Sequence, residues 1–434
     1  MKTINVGLCG LGTVGSGTVN VLTRNQREIN ASANCAIKLS HIGARRDNPK
    51  CDTGTIKVSR DIFAVVNDPD IQILVELIGG TTVAKDLVLR AIEQGKHVVT
   101  ANKALIAEHG NEIFAAAEKA KVSIYFEAAV AGGIPIIKTL REGLAANRID
   151  WLAGIINGTG NFILTEMAQK GRDFGEVLKQ AQDLGYAEAD PTFDIEGIDA
   201  AHKLVILAAI AFGMPLDFDN VYTEGISKIE AQDLAYADEL GYKVKHLGIA
   251  RRLHDCVQLR VHPTLIPKKQ LMAHVNGVMN AIMVHGDAVG STLYSGPGAG
   301  AEPTASAVIA DIIDIAREIA DDSTPLVPHL GYASDFVSPI KIQAMRDLET
   351  AYYLRLSAVD KPGVLSDITH ILSDQGISIE ALIQKEPDEE QESVPVILLT
   401  NRAIEGKMAT AIQQIEDLDT VNSKVARIRV ESLV

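Results

Sequence analysis

Residues 3–15 read TINVGLCGLGTVG, and this stretch predicts the fold of the amino-terminal part of the chain. Thr3 to Cys9 alternates and then becomes apolar, as a strand does, and TVNVLTRN continues as a helix. The glycines between them permit a tight turn, close approach of a pyrophosphate and helix packing. We therefore predict a dinucleotide site on the helix N-terminus, with a glycine-rich packing turn as the alternative. The predicted contacts are Gly10, Leu11, Gly12, Thr13, Val14 and Gly15.

The second strand is expected around Ile37 to Ile42, and its end should lie beside the adenosine ribose. An acid is typical there when NAD is bound, but this sequence has Arg45 and Arg46. Guanidinium groups suit a ribose 2′-phosphate, so NADP is favoured and NAD is possible. Two solvated arginines on a loop are the alternative.

Two further strand and helix units follow, with a helix expected from Thr82 to Gln94. Gly79, Thr100 and Lys103 come just after strands, at the edge where doubly wound sheets bind ligands. We predict that all three contact the cofactor and that Lys103 is also an active-site residue. A lysine that only begins a helix is the alternative.

A later strand should end at Glu127, followed by glycine-rich backbone. Oxygen ligands of this kind suit a hard cation, although the spacing alone is a weak signal.

From Arg148 the pattern changes to antiparallel strands near 245–261 and 279–293. A glycine-rich turn that includes Gly298 and Gly300 then precedes a helix from Thr304 to Ala320, which is expected to return to the cofactor domain.

Residues 185–203, GYAEADPTFDIEGIDAAHK, lead into the apolar run LVILAAIAFG. We expect a buried helix that begins near Ile195 with Asp194 as its N-cap. Asp199 and Lys203 are four residues apart and share a helix face, so the carboxylate can hold or orient the ammonium group for proton transfer. A solvated helix start with a surface ion pair is the alternative.

The carboxyl-terminal part begins with Ser323 to Ala344, which contains three prolines and is predicted to be a linker. The remaining pattern is β-α-β-β-α-β, with a solvated acidic hairpin tip at 386–392. The predicted domains are therefore 1–147, completed by the helix at 304–320; 148–322; a linker at 323–350; and 351–434. The fold class is α/β, with a Rossmann-type doubly wound sheet, an α+β domain for substrate and dimerisation, and a ferredoxin-like tail.

Composition narrows the class of protein. The 434 residues are 47% hydrophobic and 22% charged, with a formal net charge of −15, which argues against a nucleic-acid partner. No 18-residue apolar span or signal-peptide core is present, so we expect no membrane partner and a cytoplasmic location. The four cysteines lack metal-ligand spacing and are expected to be reduced structural thiols rather than a disulfide pair.

These residues closely resemble the homoserine dehydrogenase family over essentially the full chain. The resemblance rests on the signature 185–191 with 194–199 and Lys203, on Ala101-Asn102-Lys103, and on residues 127–135. The tail looks like an ACT domain. The resemblance implies reversible NAD(P)-dependent interconversion of L-homoserine and L-aspartate 4-semialdehyde, in threonine, methionine and isoleucine biosynthesis.

The resemblance also assigns roles to residues. Lys203 is implied as the proton donor, with Lys103 sharing or relaying that role and Asp199 orienting it. The implied substrate contacts are Glu188, Asp194, Asp199 and Tyr186, and Gly185 joins the cofactor contacts with Gly298 and Gly300. Glu127, with the carbonyls of Val130, Gly132 and Ile134, is implied to hold a structural sodium or similar monovalent cation.

For the ACT tail, Asp360, Gly363 and Val364 are implied to bind an amino-acid effector, with threonine expected as a feedback inhibitor. A module that only assists assembly is the alternative, and a homodimer or homotetramer is expected.

Two other functions of the whole chain remain open from sequence. A semialdehyde dehydrogenase would need a nucleophilic cysteine, and a non-catalytic amino-acid sensor would need no Lys203.

Overall fold

A computed structural model describes residues 2–323, 327–385 and 393–433. The amino-terminal part is a six-stranded parallel sheet in the order β3-β2-β1-β4-β5-β6. Its strands are β1 Thr3–Cys9, β2 Ala36–Gly43, β3 Lys57–Ser59, β4 Ile73–Glu76, β5 His97–Thr100 and β6 Ile124–Tyr125. Its helices are α1 Thr13–Arg24, α2 Gln26–Ala33, α3 Phe63–Val66, α4 Thr82–Glu93 and α5 Lys103–Ala120. The predicted doubly wound sheet is confirmed.

The middle of the chain contributes strands to a second sheet, which pair antiparallel except for β8, a short strand parallel to β10. They are β7 Ile149–Ile155, β8 Tyr222–Thr223, β9 Tyr242–Arg252, β10 Cys256–Pro267, β11 Met279–Gly286 and β12 Gly290–Pro297. Its helices are α6 Ile136–Lys138, which continues as a π-helix over Thr139–Gly143, then α7 Gly158–Lys170, α8 Phe174–Asp183, α9 Thr192–Ile195, α10 Ile198–Phe212, α11 Ala231–Glu239 and α12 Ala301–Ala320. As expected, α12 returns to the first sheet, where the backbone of Ala301 lies against Gly17 of α1.

The carboxyl-terminal part continues the second sheet. Its elements are β13 Lys341–Ile342, β14 Glu349–Val359, α13 Val364–Asp374, β15 Ile379–Gln384, β16 Ser393–Thr400, β17 Ala403–Ile404, α14 Glu405–Glu416 and β18 Ala426–Val430. The order β18-β14-β16-β15 is the predicted ferredoxin-like arrangement. Because β18 also pairs with β10, the two regions share one twelve-stranded sheet.

The segment predicted as a linker has structure of its own. β13 pairs with the start of β10, and Leu330 is buried in the main core beside α10. The predicted domain boundaries stay predictions, and the acidic stretch 386–392 lies outside the described residues.

Helix α10 forms the centre of the largest core. All nine residues from Leu204 to Phe212 are buried, so the predicted buried helix is confirmed. Its expected start near Ile195 is wrong. Gly197 adopts a left-handed φ of 86°, which separates the short α9 from α10.

Two further predictions concern thiols and membranes. All four cysteines are free, and Cys9 and Cys35 are buried, as expected for structural thiols. Across the described ranges, no helix combines the length and apolar character needed to cross a bilayer.

Candidate active site

Asp199 lies at the centre of a charged cluster on the first turn of α10, and only 4% of it is exposed. It is there because the turn at Gly197 redirects the chain into α10. Asp194, the expected N-cap, instead accepts a hydrogen bond from Asn157 Nδ2 at 2.8 Å, so the N-cap prediction is wrong. The break between the helices turns the Asp194 carboxylate toward the same cluster as Asp199.

Lys203 projects from the next turn of α10 and is held at both sides. Its Nζ donates to Asp199 Oδ2 at 2.7 Å and to the carbonyl oxygen of Ile156 at 2.7 Å. Its side chain is 13% exposed, so one direction remains open to a ligand. The predicted pairing four residues apart is confirmed, and it is not a solvated surface pair.

Lys103 contacts the Asp199 carboxylate from the Rossmann-type part of the chain. It is the first residue of α5, directly after β5, and its Nζ lies 3.0 Å from Asp199 Oδ1. Its side chain is 33% exposed, and its ammonium group lies over the Phe193 ring. This contact brings Lys203 to the carboxyl edge of the Rossmann-type sheet, where the glycine-rich turn also lies.

Electrostatics within the cluster set the charge of each group. Burial opposes ionisation of Asp199, but the Lys203 and Lys103 charges outweigh it and hold the Asp199 pKa well below its usual value. Burial lowers the pKa of Lys203, an effect that Asp199 partly offsets. Burial and then the charge of Asp199 raise the pKa of Asp194. A buried lysine whose pKa is lowered and which contacts a carboxylate, as Lys203 does, is typical of a group that exchanges protons near neutral pH.

Asn157 joins both acidic groups and was missed in the sequence. Its Nδ2 also donates to Asp199 Oδ2 at 2.8 Å, while its Oδ1 accepts from Gly160 N as the N-cap of α7. The signal was available, since Asn followed by glycine after a strand is a common helix start.

The glycine-rich turn has the geometry that a pyrophosphate needs. A side chain at Gly10 would meet the Leu77 carbonyl and one at Gly15 would meet the Gly10 carbonyl, whereas Gly12 faces open space. Gly12 is the N-cap of α1 and no side chain caps this helix. The N-terminal amide groups of α1 are therefore available to an anion. Leu11, Thr13 and Val14 complete the turn.

The neighbouring strand ends are joined by Glu76, a second residue that was missed. The carboxylate of Glu76 accepts from Thr100 Oγ1 at 2.6 Å and from the backbone amides of Ile78 and Gly79. Asn102 Nδ2 donates to the Gly80 carbonyl, which fixes the turn before Lys103. Gly79 has a φ of 72° and faces open space, as a cofactor-facing turn requires.

The start of α12 approaches the Glu127 turn. Gly298 accepts from Gly132 N at 2.9 Å, and Gly300 is the N-cap of α12, again without a side-chain cap. Asn280 occupies the space that a side chain on Gly298 would need. The side-chain Nδ2 and Oδ1 of Asn280 are buried without a hydrogen-bond partner in the described structure. This wall can therefore still form hydrogen bonds with a ligand.

The remaining predicted contacts are more exposed. Arg45 and Arg46 lie exposed just beyond β2. Gly185, Tyr186 and Glu188 lie on the exposed turn between α8 and α9, where the Tyr186 carbonyl accepts from Thr159 Oγ1 at 2.7 Å. No side-chain hydrogen bond occupies the Glu188 carboxylate within the described part of the chain.

The Glu127 turn is buried, but its carboxylate is already engaged. Its two oxygens accept from the amides of Ile137 and Lys138, at 2.9 and 2.7 Å. Burial raises the Glu127 pKa to about 7. The described residues contain no cluster of three or more His, Cys, Asp or Glu side chains suited to a metal ion. Any cation at Glu127, Val130, Gly132 and Ile134 would thus depend on backbone oxygens.

In the ACT tail, Asp360, Gly363 and Val364 line one side of a cavity of about 280 Å³. Gly363 adopts a φ of 99° at the N-cap of α13. The structure brings these three residues together around the start of α13, on different elements from the lysine cluster of α5 and α10.

Comparisons with known proteins agree with this architecture. A family model described as homoserine dehydrogenase matches residues 135–313, its NAD-binding-domain counterpart matches 10–127, and an ACT domain model matches 352–417. A homoserine dehydrogenase of Pseudomonas aeruginosa is 61% identical, with 100% of both chains covered.

Two solved structures extend the comparison. The crystal structure of a homoserine dehydrogenase from Thiobacillus denitrificans is 58% identical, with a TM-score of 0.95, and the match covers 100% of this chain and 99% of that one. A hyperthermophilic archaeal homoserine dehydrogenase in complex with NADPH is 26% identical, with a TM-score of 0.60 and coverage of 72% and 97%.

The family prediction is therefore confirmed, together with the oxidoreductase activity and the ACT domain of the tail. With an NAD-binding domain, a catalytic domain and an ACT domain in this order, the chain belongs to the homoserine dehydrogenase family.

Proposed function

We propose that Lys203 transfers the proton in the reversible oxidation of L-homoserine to L-aspartate 4-semialdehyde. The observation that carries this proposal is the Lys203 ammonium group, fixed between Asp199 and the Ile156 carbonyl with one open side. A bound nicotinamide supplies or accepts the hydride. During aldehyde reduction, Lys203 donates its proton to the carbonyl oxygen; during alcohol oxidation, neutral Lys203 accepts the hydroxyl proton.

Asp199 and Lys103 position this proton carrier. Asp199 fixes the Lys203 side chain, and Lys103 on the other carboxylate oxygen limits how strongly Asp199 can hold the Lys203 proton. Lys103 is also more exposed, so we assign it to substrate or cofactor contact and to proton relay. Together with Asp194, the cluster has two cations and two carboxyl groups, which suits a zwitterionic substrate.

For the substrate we propose that Glu188 and Asp194 receive the amino group of homoserine and that Tyr186 lines the same opening. Glu188 is exposed and its carboxylate is unengaged, so it is free to bind an ammonium group. Replacing Glu188 by alanine should raise the substrate KM about tenfold with little change in kcat. A similar substitution at the exposed Glu93 is the control, and an unchanged KM would show that the amino group is held elsewhere.

For the cofactor we propose a preference for NADP. Arg45 and Arg46 lie exposed beyond β2, as expected for contacts to a 2′-phosphate, and the archaeal relative was solved with NADPH. The Gly10–Gly15 turn, Gly79, Thr100, Gly185, Gly298 and Gly300 are proposed to hold the rest of the molecule. Steady-state assays with NADPH and NADH test this: Arg45→Ala with Arg46→Ala should raise the KM for NADPH and leave that for NADH nearly unchanged.

For the cation we propose a structural monovalent ion bound by Glu127 with the backbone carbonyls of Val130, Gly132 and Ile134. The buried turn and its pairing with Gly298 support a structural role at this junction. Replacing sodium with a bulky organic cation in the buffer should lower the thermal midpoint. An identical midpoint in both buffers would remove the ion from the proposal.

For the tail we propose that threonine binds at Asp360, Gly363 and Val364 and inhibits the enzyme as a homodimer or homotetramer. The adjacent cavity and the positive φ of Gly363 support a ligand there. The alternative is that the tail only assists assembly. Sedimentation of the Asp360→Asn variant, with and without threonine, separates the two functions.

The thioester alternative lacks its nucleophile. Burial raises the pKa of Cys9, Cys35, Cys51 and Cys256, so each thiol is protonated near neutral pH.

The overall proposal is tested by following NADPH and NADH absorbance with homoserine and with the semialdehyde, with and without threonine. No turnover of either substrate would support the non-catalytic sensor instead.

A further inference from the structure

A second cavity lies where the catalytic region meets the ACT tail, apart from the turn at Asp360. It measures about 430 Å³, which is within the range of small-molecule sites. One wall is the segment 222–233, and the other is formed by α14 and β18. A ligand here would therefore touch both regions at once.

The cavity presents charged groups of both signs, Lys228 without an ion-pair partner in the described chain and Glu224 with one carboxylate oxygen paired to Arg429. Lys228 is exposed and takes part in no hydrogen bond or ion pair within the described chain. Glu224 uses only Oε2, which accepts from Tyr222 and Arg429 at 2.7 and 2.8 Å. Glu224 Oε1 accepts no hydrogen bond from the residues that the structure describes. Burial opposes its ionisation, but Arg429 outweighs that effect and lowers the Glu224 pKa, so the group is a carboxylate.

Apolar side chains lie beside these charges, on a lining that also includes Tyr222, Asp233, Gln413 and Arg427. The apolar residues are Ile229, Ala409, Ile412, Val425 and Ile428. A ligand that matches both parts has an ammonium group, a carboxylate and a short hydrocarbon side chain. This combination is that of an aliphatic α-amino acid.

The segment that forms the first wall also contacts the active-site turn. Ile226 N donates to the Ile195 carbonyl at 2.9 Å, and Ser227 Oγ donates to Glu196 Oε1 at 2.8 Å. Ile195 directly follows Asp194, whose carboxylate shares Asn157 with Asp199. A ligand that shifts segment 224–229 therefore acts on the turn that carries the acidic groups of the lysine cluster.

We propose that the cavity between segment 222–233 and helix α14 binds a neutral aliphatic α-amino acid and couples its binding to the active-site turn. Lys228 receives the carboxylate, Glu224 Oε1 receives the ammonium group, and Ile229 and Ile412 contact the side chain, while Arg427 stays paired with Glu405 at 2.7 Å. This site is independent of the threonine site proposed at Asp360, and its binding assay does not depend on the proposed role of Lys203.

The experiment is isothermal titration of the full chain with L-valine and L-leucine. The controls are 3-methylbutanoate, which lacks the amino group, and 2-methylpropylamine, which lacks the carboxylate; neither should bind. Lys228→Ala should weaken valine binding about tenfold, as expected for loss of a charged hydrogen bond. Ala409→Phe, an exposed position on α14, should fill the cavity and abolish binding. Lys407→Ala, exposed on the same helix, is the matched control and should bind normally.

Coupling is read from kcat/KM for homoserine, which saturating valine should change about fivefold or more in the parent chain and in Lys407→Ala. Valine should have no such effect in Ala409→Phe. Absence of saturable binding, normal binding by Ala409→Phe, or loss of binding only in Asp360→Asn would each overturn the proposed site. Binding without any change in kcat/KM would overturn the coupling.

Discussion

Two buried carboxylate sites in this molecule behave in opposite ways. Asp199 is buried beside two lysines, and its pKa lies well below the usual value. Asp311 on α12 is equally buried, but its near neighbour is Glu127, whose backbone amide donates to Asp311 Oδ2 at 2.9 Å. Burial and then the Glu127 charge raise the Asp311 pKa well above its usual value. The difference shows that the partner, and not burial, decides whether a carboxyl group keeps its proton.

The comparison has a functional meaning. The Asp199 site keeps a carboxylate between two lysines, as the proposed proton transfer requires, whereas the Glu127 and Asp311 site joins the turn after β6 to α12 through a backbone hydrogen bond between groups whose pKa values are raised. Substitutions that remove charge should therefore be severe at the first site and mild at the second.

The largest effect on folding is expected for Asp199→Asn. The variant leaves Lys203 and Lys103 without their buried counter-charge, which should lower the free energy of unfolding by about 3 kcal/mol. The measurement is the denaturant midpoint, with Asp86→Asn on the exposed face of α4 as the matched control. A midpoint equal to that of the control would show that the lysines find other partners.

The next effect concerns catalysis. Lys203→Met should lower kcat by roughly 100-fold or more in both directions while cofactor affinity stays nearly constant. Lys119→Met, exposed near the end of α5, is the control and should retain full activity. A Lys203→Met enzyme that keeps most of its kcat would remove this residue from the proton transfer.

A smaller effect is expected in the pH dependence of stability. The Glu127 pKa is raised from 4.5 to about 7 in the folded chain, so the folded state binds more protons between those values. Its stabilising contribution is complete below pH 4.5 and is lost as the pH rises through 7, by roughly 2 to 3 kcal/mol. Glu127→Gln should flatten this decline in melting curves taken from pH 5 to 8. An unchanged slope would mean that Glu127 is ionised throughout.

The smallest effect is expected for Asp311→Asn. Because burial and the neighbouring Glu127 raise the Asp311 pKa well above its usual value, the neutral amide should replace it and still accept from the Glu127 amide, with a change below about 1 kcal/mol. The contrast with Asp199→Asn is the sharpest test of the comparison. A loss as large as that of Asp199→Asn would show that Asp311 is charged in the folded chain.

Local patterns were sufficient to predict part of this molecule. The Gly10–Gly15 turn and the spacing of Asp199 and Lys203 depend on neighbours within a few residues, and both predictions matched the structure. The prediction that Asp194 is the N-cap failed because Gly197 takes a left-handed φ and becomes the N-cap of a new helix, α10. A single glycine inside a polar stretch does not reveal its φ value in advance.

Other features arise only when distant segments meet. The contact between Asp311 and Glu127 spans 184 residues, and that between Lys103 and Asp199 joins the start of α5 to the start of α10. The pairing of β10 with β18 was also invisible, because each strand could be assigned locally but its neighbour could not. Periodicity predicts elements, while the packing of whole layers decides which charges become partners.

The shared sheet has a consequence for how the chain is made. Arg260 in β10 bonds Glu431 across 171 residues, and Arg429 is wholly buried against Glu405 and Glu224. During synthesis, this flank of β10 must therefore remain open until residues 426–431 have left the ribosome. Nascent chains should linger in a form that chaperones recognise, and shortening the protein before residue 426 should impair the catalytic region itself.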